Sequence, residues 1–137
     1  MRFFVMAGLL AAFSAGSAAA QSAQQFDLTC VGERSESLDG PAEPYEYAFR
    51  VDLTAKRWCW RDCATTFAIE EVAPDRITFS NDRTDTRFER RSSRNSVSRA
   101  TGEHELLAIS VLPVPRYYRV TGRCTPAPFS GFPATLF

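Results

Sequence analysis

Residues 45–53 read YEYAFRVDL, and the fold turns on this stretch. Tyr45, Tyr47, Phe49, Val51 and Leu53 fall at every second position, with Glu46, Arg50 and Asp52 between them. Side chains of an extended strand alternate between its two faces, so a period of two gathers five large apolar groups on one side. The stretch predicts a strand with one buried face.

The same pattern repeats in short segments along the chain. Strands are predicted over residues 26–32, 58–60, 66–72, 76–80, 86–91, 95–99, 105–112 and 116–125. Turn chemistry separates them: SESLDGPAEP at 35–44, TAKR at 54–57, PD at 74–75, NDRTD at 81–85, ATG at 100–102 and PVP at 113–115. No amphipathic helix is evident, although a single helical turn fits around residues 62–65. Short strands with close-spaced turns predict an all-β domain. The expected form is an antiparallel meander of about eight strands, making a small closed or partly open barrel. A two-sheet sandwich is the alternative. The aperiodic tail PFSGFPATLF, 128–137, is expected to plug one end of the barrel or cover the sheet with Phe129 and Phe132.

The chain opens MRFFVMAGLLAAFSAGSAAAQS. One cation, a short apolar run and the Ala18-Ala19-Ala20 site read as a signal peptide over residues 1–20, a leader helix removed by cleavage. The apolar run is shorter than the roughly 20 residues that a membrane-spanning helix needs. Residues 21–137 are then a single domain in the periplasm or outside the cell. No stable membrane insertion is expected after cleavage, and the domain is expected to be a monomer.

Four cysteines, Cys30, Cys59, Cys63 and Cys124, all lie in that domain. An even count in an oxidising compartment reads as two disulfides, with three possible pairings. Cys30 and Cys124 both sit in alternating segments, in phase with the apolar face (Phe26 and Leu28 on one, Tyr118 and Val120 on the other). The favoured pairing therefore ties the first strand to the last and closes Cys59–Cys63 as a local staple. The motif WCWRDC at 58–63 places Trp58 and Trp60 on one face and Cys59 on the other. A second reading is a copper or thiol-redox site in which Cys59, Cys63 and His104 hold a soft ion. The Cys-x3-Cys spacing departs from the Cys-x-x-Cys of redox motifs at helix starts.

Other chemistry is sparse. His104 is the sole histidine, flanked by Glu103 and Glu105. Glu70 and Glu71 are neighbours on a predicted strand and face opposite ways. NDRTD at 81–85 lacks the glycine and closing glutamate of a calcium loop. No catalytic residue and no cofactor are expected. Charge is uneven: residues 21–75 carry 11 acidic and 5 basic side chains, and residues 76–137 carry 5 acidic and 10 basic. Arg83, Arg87, Arg90, Arg91, Arg94 and Arg99 crowd one predicted hairpin. They either pair with the acidic half across the sheet or bind an anionic partner through Arg87, Arg90, Arg91, Arg94 and Arg99. Stacking aromatics are not interleaved there, which argues against nucleic acid.

Three segments carry a resemblance: FDLTCVG at 26–32, RVDLTAKRWC at 50–59 and GRCTPAPFSGFP at 122–133. Together they resemble small, uncharacterised secreted proteins of alphaproteobacteria, over most of the domain. The resemblance implies the compartment and a compact β domain, and it attaches no activity. A looser similarity is to disulfide-linked periplasmic lysozyme inhibitors. The functional expectation is a non-catalytic periplasmic or secreted protein that binds an envelope or protein partner. The copper or thiol-redox reading and inhibition of a hydrolase such as lysozyme are the alternatives.

Overall fold

Residues 24–134 are described by a computed structural model. The expected signal peptide lies outside these residues. Nine strands follow in order: β1 (Gln25–Ser35), β2 (Glu43–Asp52), β3 (Arg57–Trp60), β4 (Thr66–Ala68), β5 (Glu71–Val72), β6 (Arg76–Asp85), β7 (Arg90–Ser98), β8 (Glu103–Leu112) and β9 (Arg116–Ala127). There is no helix among the described residues.

The strands form one antiparallel sheet in the order β4-β3-β2-β1-β9-β8-β7-β6-β5. Every consecutive pair is hydrogen-bonded except β4 and β5, and β9 pairs with β1. The sheet therefore curls into a partly open barrel with its seam between two very short strands. The count explains the seam. Up-and-down alternation around a ring needs an even number of strands, so with nine, β4 and β5 run in the same direction and only Ile69 and Glu70 separate them.

The decisive stretch behaves as its pattern dictates. Tyr47, Phe49, Val51 and Leu53 are all buried, and Tyr45 packs against the core from the rim. Phe49 is fully buried. It meets Phe79 of β6 at a ring separation of 4.9 Å and Trp60 of β3 at 4.9 Å, so aromatic contacts cross the bore. Trp58, Ile77, Val97 and Val120 complete the filling. Rings at this distance in stacked or edge-on geometry gain about 0.5–1.5 kcal/mol beyond their area.

Two boundaries differ from expectation. NDRTD does not break the chain: β6 runs through it, and residues 80–85 pair with residues 90–95. The turn comes one residue later, where the Thr86 hydroxyl accepts the N–H groups of Phe88 and Glu89. The expected strands 86–91 and 95–99 are accordingly one strand, β7. The second difference is the expected strand 66–72, which splits because its two halves pair with opposite edges of the sheet. A bulge at Phe79 shifts the β6 register between Thr78 and Ser80. An extra residue of this kind sends two successive side chains to the same side, which lets Phe79 enter the core while Ser80 lines up with inward-facing Asn95.

The tail covers the sheet from outside. The Gly131 carbonyl accepts from Arg50 of β2, the Ser130 hydroxyl bonds Asp27 of β1, and Phe132 lies under Arg57 of β3.

Candidate functional site

Both expected disulfides are present. Cys30 and Cys124 face each other directly in the β1–β9 ladder. Cys59 and Cys63 close the turn after β3 and are both buried. In that turn the Cys63 N–H donates to the Trp60 carbonyl at 3.0 Å, and Arg61 and Cys63 take positive φ values of 53° and 60°. Left-handed backbone costs a side-chain-bearing residue roughly 1–2 kcal/mol. The bridge spans this turn. Two closed disulfides fit an oxidising, extracellular-type environment.

His104 stands elsewhere. It points into the barrel, 2 % exposed. Its Nε2–H donates to Asn95 Oδ1 at 2.8 Å, which leaves Nδ1 to accept the Tyr47 hydroxyl at 2.7 Å. Burial pushes the imidazole down to about 4 and the Tyr47 hydroxyl up to about 12, with Tyr118 adding to the latter. Among the described residues, no three His, Cys, Asp or Glu side chains come together as a metal cluster, so Cys59, Cys63 and His104 do not converge.

The arginines divide. Arg83, Arg87, Arg90, Arg91 and Arg94 remain on the β6–β7 hairpin, all exposed. Arg99 sits beyond the far end of β7, where its guanidinium donates to the Ala73 carbonyl at 3.1 Å. The expected pairing with the acidic half does not form. Six ion pairs occur among the described residues, and none joins residues 24–75 to residues 76–134. Arg90 pairs with Asp85 at 3.1 Å and Arg91 with Glu89 at 3.0 Å, both within the hairpin, while Arg119 meets Glu105 and Arg123 meets Glu103 across β8–β9. The cause is topological. Most neighbouring strands are consecutive in sequence, so charges find partners within their own half, and the β1–β9 ladder that joins the halves sets no acid opposite a base. Arg83, Arg87, Arg94 and Arg116 meet no carboxylate of the described residues within 4 Å.

Strand direction then sorts the turns. Those at 36–42, 61–65, 86–89 and 113–115 share one end of the barrel, here the upper end. Five exposed apolar side chains gather there: Leu38 and Phe88, each 78 % exposed, with Val111, Leu112 and Val114. Phe88 crowns the arginine hairpin, and Leu112 pairs with Arg90 across β7–β8. An open groove of about 810 Å³, floored by Ile109, Val111 and Tyr117, separates Leu38 from the β8–β9 turn, with Arg116 and Glu36 in its lining. Sequence reading singled out the arginines and missed these apolar tips. Their signal was a valine inside PVP and a phenylalanine between charges, in segments whose polarity marks them as turns or solvated surface.

No protein-family model matches the chain, and neither a curated protein nor a solved structure matches it.

Proposed function

We propose that the protein is a non-catalytic binding protein of the bacterial envelope, periplasmic or secreted. Its upper end docks on an anionic amphiphile surface, such as phosphorylated lipid headgroups. The observation that carries this reading is the coincidence at one end of apolar turn tips with Arg87 and Arg116, which meet no carboxylate of the described residues within 4 Å. A surface of phosphates over acyl chains offers both complements. Each arginine near such a surface contributes about 1 kcal/mol at physiological salt, and shallow apolar insertion adds to it. The filled bore, and the commitment of both His104 ring nitrogens to Tyr47 and Asn95, support a role without catalysis.

The copper and thiol-redox reading needs an open Cys59–Cys63 bridge, whereas the bridge is closed and His104 is committed to Tyr47 and Asn95. Hydrolase inhibition has no separate observation in its favour.

The experiment is co-sedimentation of the disulfide-bonded protein with vesicles of phosphatidylglycerol and phosphatidylcholine, compared with phosphatidylcholine alone. Binding is expected on the anionic vesicles, falling as salt rises. Replacing Arg87 and Arg116 together by Gln should weaken it by roughly thirtyfold. Phe88→Ser should weaken it without changing its salt dependence. Equal sedimentation with both vesicle types, or a double variant that binds like the wild type, would overturn the reading.

A further inference from the structure

The lower end of the barrel carries a second cavity, of about 600 Å³. Its walls are Phe26 and Leu28 of β1, Ile77 of β6, Val97 of β7 and Pro126 of β9. The β7–β8 turn, residues 99–102, forms its lip. Among the described residues of the lining, Arg99 is the only charged one, and no carboxylate contributes.

The lip is fixed on both sides. On one, the Arg99 N–H donates to the Asp75 carbonyl at 2.8 Å and its guanidinium to the Ala73 carbonyl. On the other, the Cys124 N–H donates to the Gly102 carbonyl at 2.8 Å. Gly102 has a φ of 72°, and a Cβ there would lie 2.3 Å from the Cys124 carbonyl oxygen, so only glycine lets the turn approach β9 this closely. The cleft is thus preformed. Its volume falls in the usual range for small-molecule sites, about 300–1,000 Å³, which are mostly apolar with a few placed polar groups.

We propose that this cleft binds a small amphipathic carboxylate, a medium-chain fatty acid, with its chain among Phe26, Leu28, Ile77 and Val97 and its carboxylate on Arg99. The charge count sets the class: an apolar slot with one cation at its mouth matches an apolar body with one negative head. Arginine presents paired N–H groups that suit a carboxylate. Ser98, on the same lip, adds a hydroxyl beside the head group, while the Thr101 hydroxyl is committed to the Glu103 carboxylate. The site is at the opposite end from the upper turns and stands independently of them.

The test is calorimetric titration of the disulfide-bonded protein with octanoate, decanoate and laurate below their micelle concentrations, with decanol as the neutral control. Decanoate is expected to bind at one site per chain and more tightly than decanol. Arg99→Gln should weaken decanoate by roughly ten- to a hundredfold, the usual effect of losing a charged hydrogen bond, and leave decanol unchanged. Arg99 also anchors the lip, so a second variant guards against a folding artefact. Ala100→Trp, on an exposed turn position, should fill the cleft and abolish binding of both ligands while leaving vesicle sedimentation intact. The proposal fails if no carboxylate binds the folded wild type, if decanol matches decanoate, or if Ala100→Trp binds as before.

Discussion

The Tyr47 hydroxyl on β2 donates to Nδ1 of His104 on β8 across 2.7 Å, so one hydrogen bond spans three strand boundaries inside the barrel. With Asn95 on the other ring nitrogen, both nitrogens of the neutral imidazole are partnered, and burial disfavours the cation. An unfolded histidine gains its proton near pH 6.5; the folded one, held down by burial, does so at about 4.

The sign of the pH dependence follows. Between these values the unfolded chain holds a proton that the folded chain lacks, so stability rises with pH there. His104's contribution is complete above about pH 6.5, declines as the pH falls towards 4, and changes no further below it. The whole span is worth about 3 kcal/mol. Urea unfolding of wild type and His104→Gln at several pH values between 7 and 4 would measure it. The wild type should lose more stability on acidification than the variant, and parallel curves would mean that the ring is not held neutral.

Gly122 makes that bond possible. It faces Gly32 in the β1–β9 ladder and His104 in the β8–β9 ladder. A Cβ at Gly122 would stand 2.7 Å from the Tyr47 hydroxyl oxygen and 2.7 Å from the Val31 carbonyl oxygen. Gly122→Ala should therefore destabilise by about 1–3 kcal/mol, the usual cost of overpacking. It should also shift the Tyr47 ring signals in an aromatic NMR spectrum. Unchanged stability would show that the ladder yields.

The two bridges should differ in worth. Cys30–Cys124 spans 94 residues, and Cys59–Cys63 spans 4. Chain entropy assigns about 4–5 kcal/mol to the first and about 2 kcal/mol to the second. Paired Cys→Ser variants, unfolded in urea, should lose stability in that order. A reversed order would mean that the strained turn at 61–63 depends on its bridge more than the barrel depends on its closure.

Much of this fold was legible from local pattern. Residues 45–53 announced a buried face, and Cys30 and Cys124 announced their partnership because both fell in phase with it. The failures share a cause. NDRTD has the composition of a turn, yet it is extended because β7 lies beside it, and pairing partners are not written in a five-residue window. Arg99 read as part of the hairpin cluster because sequence distance cannot show that a strand of nine residues, Arg90–Ser98, carries it to the other end of the barrel. His104 read as a possible metal ligand because its partners, Tyr47 and Asn95, are supplied by the curl of the sheet. The candidate surface was half visible: its charges stood out, and its apolar tips did not.

The seam between β4 and β5 has a consequence for chain order. Followed around the sheet from β5 to β4, the strands run β5 to β9 and then β1 to β4. A circular permutant beginning at Glu70, with a linker joining the old ends, would place every ladder between consecutive strands. The β1–β9 contact, now the longest-range in sequence, would become a local one. Folding rates rise as the mean sequence separation of contacts falls. The permutant should therefore refold faster than the natural order in stopped-flow experiments, and its Cys30–Cys124 bridge should contribute less, because it would close a much shorter loop. An unchanged refolding rate would place the β1–β9 ladder after the rate-limiting step.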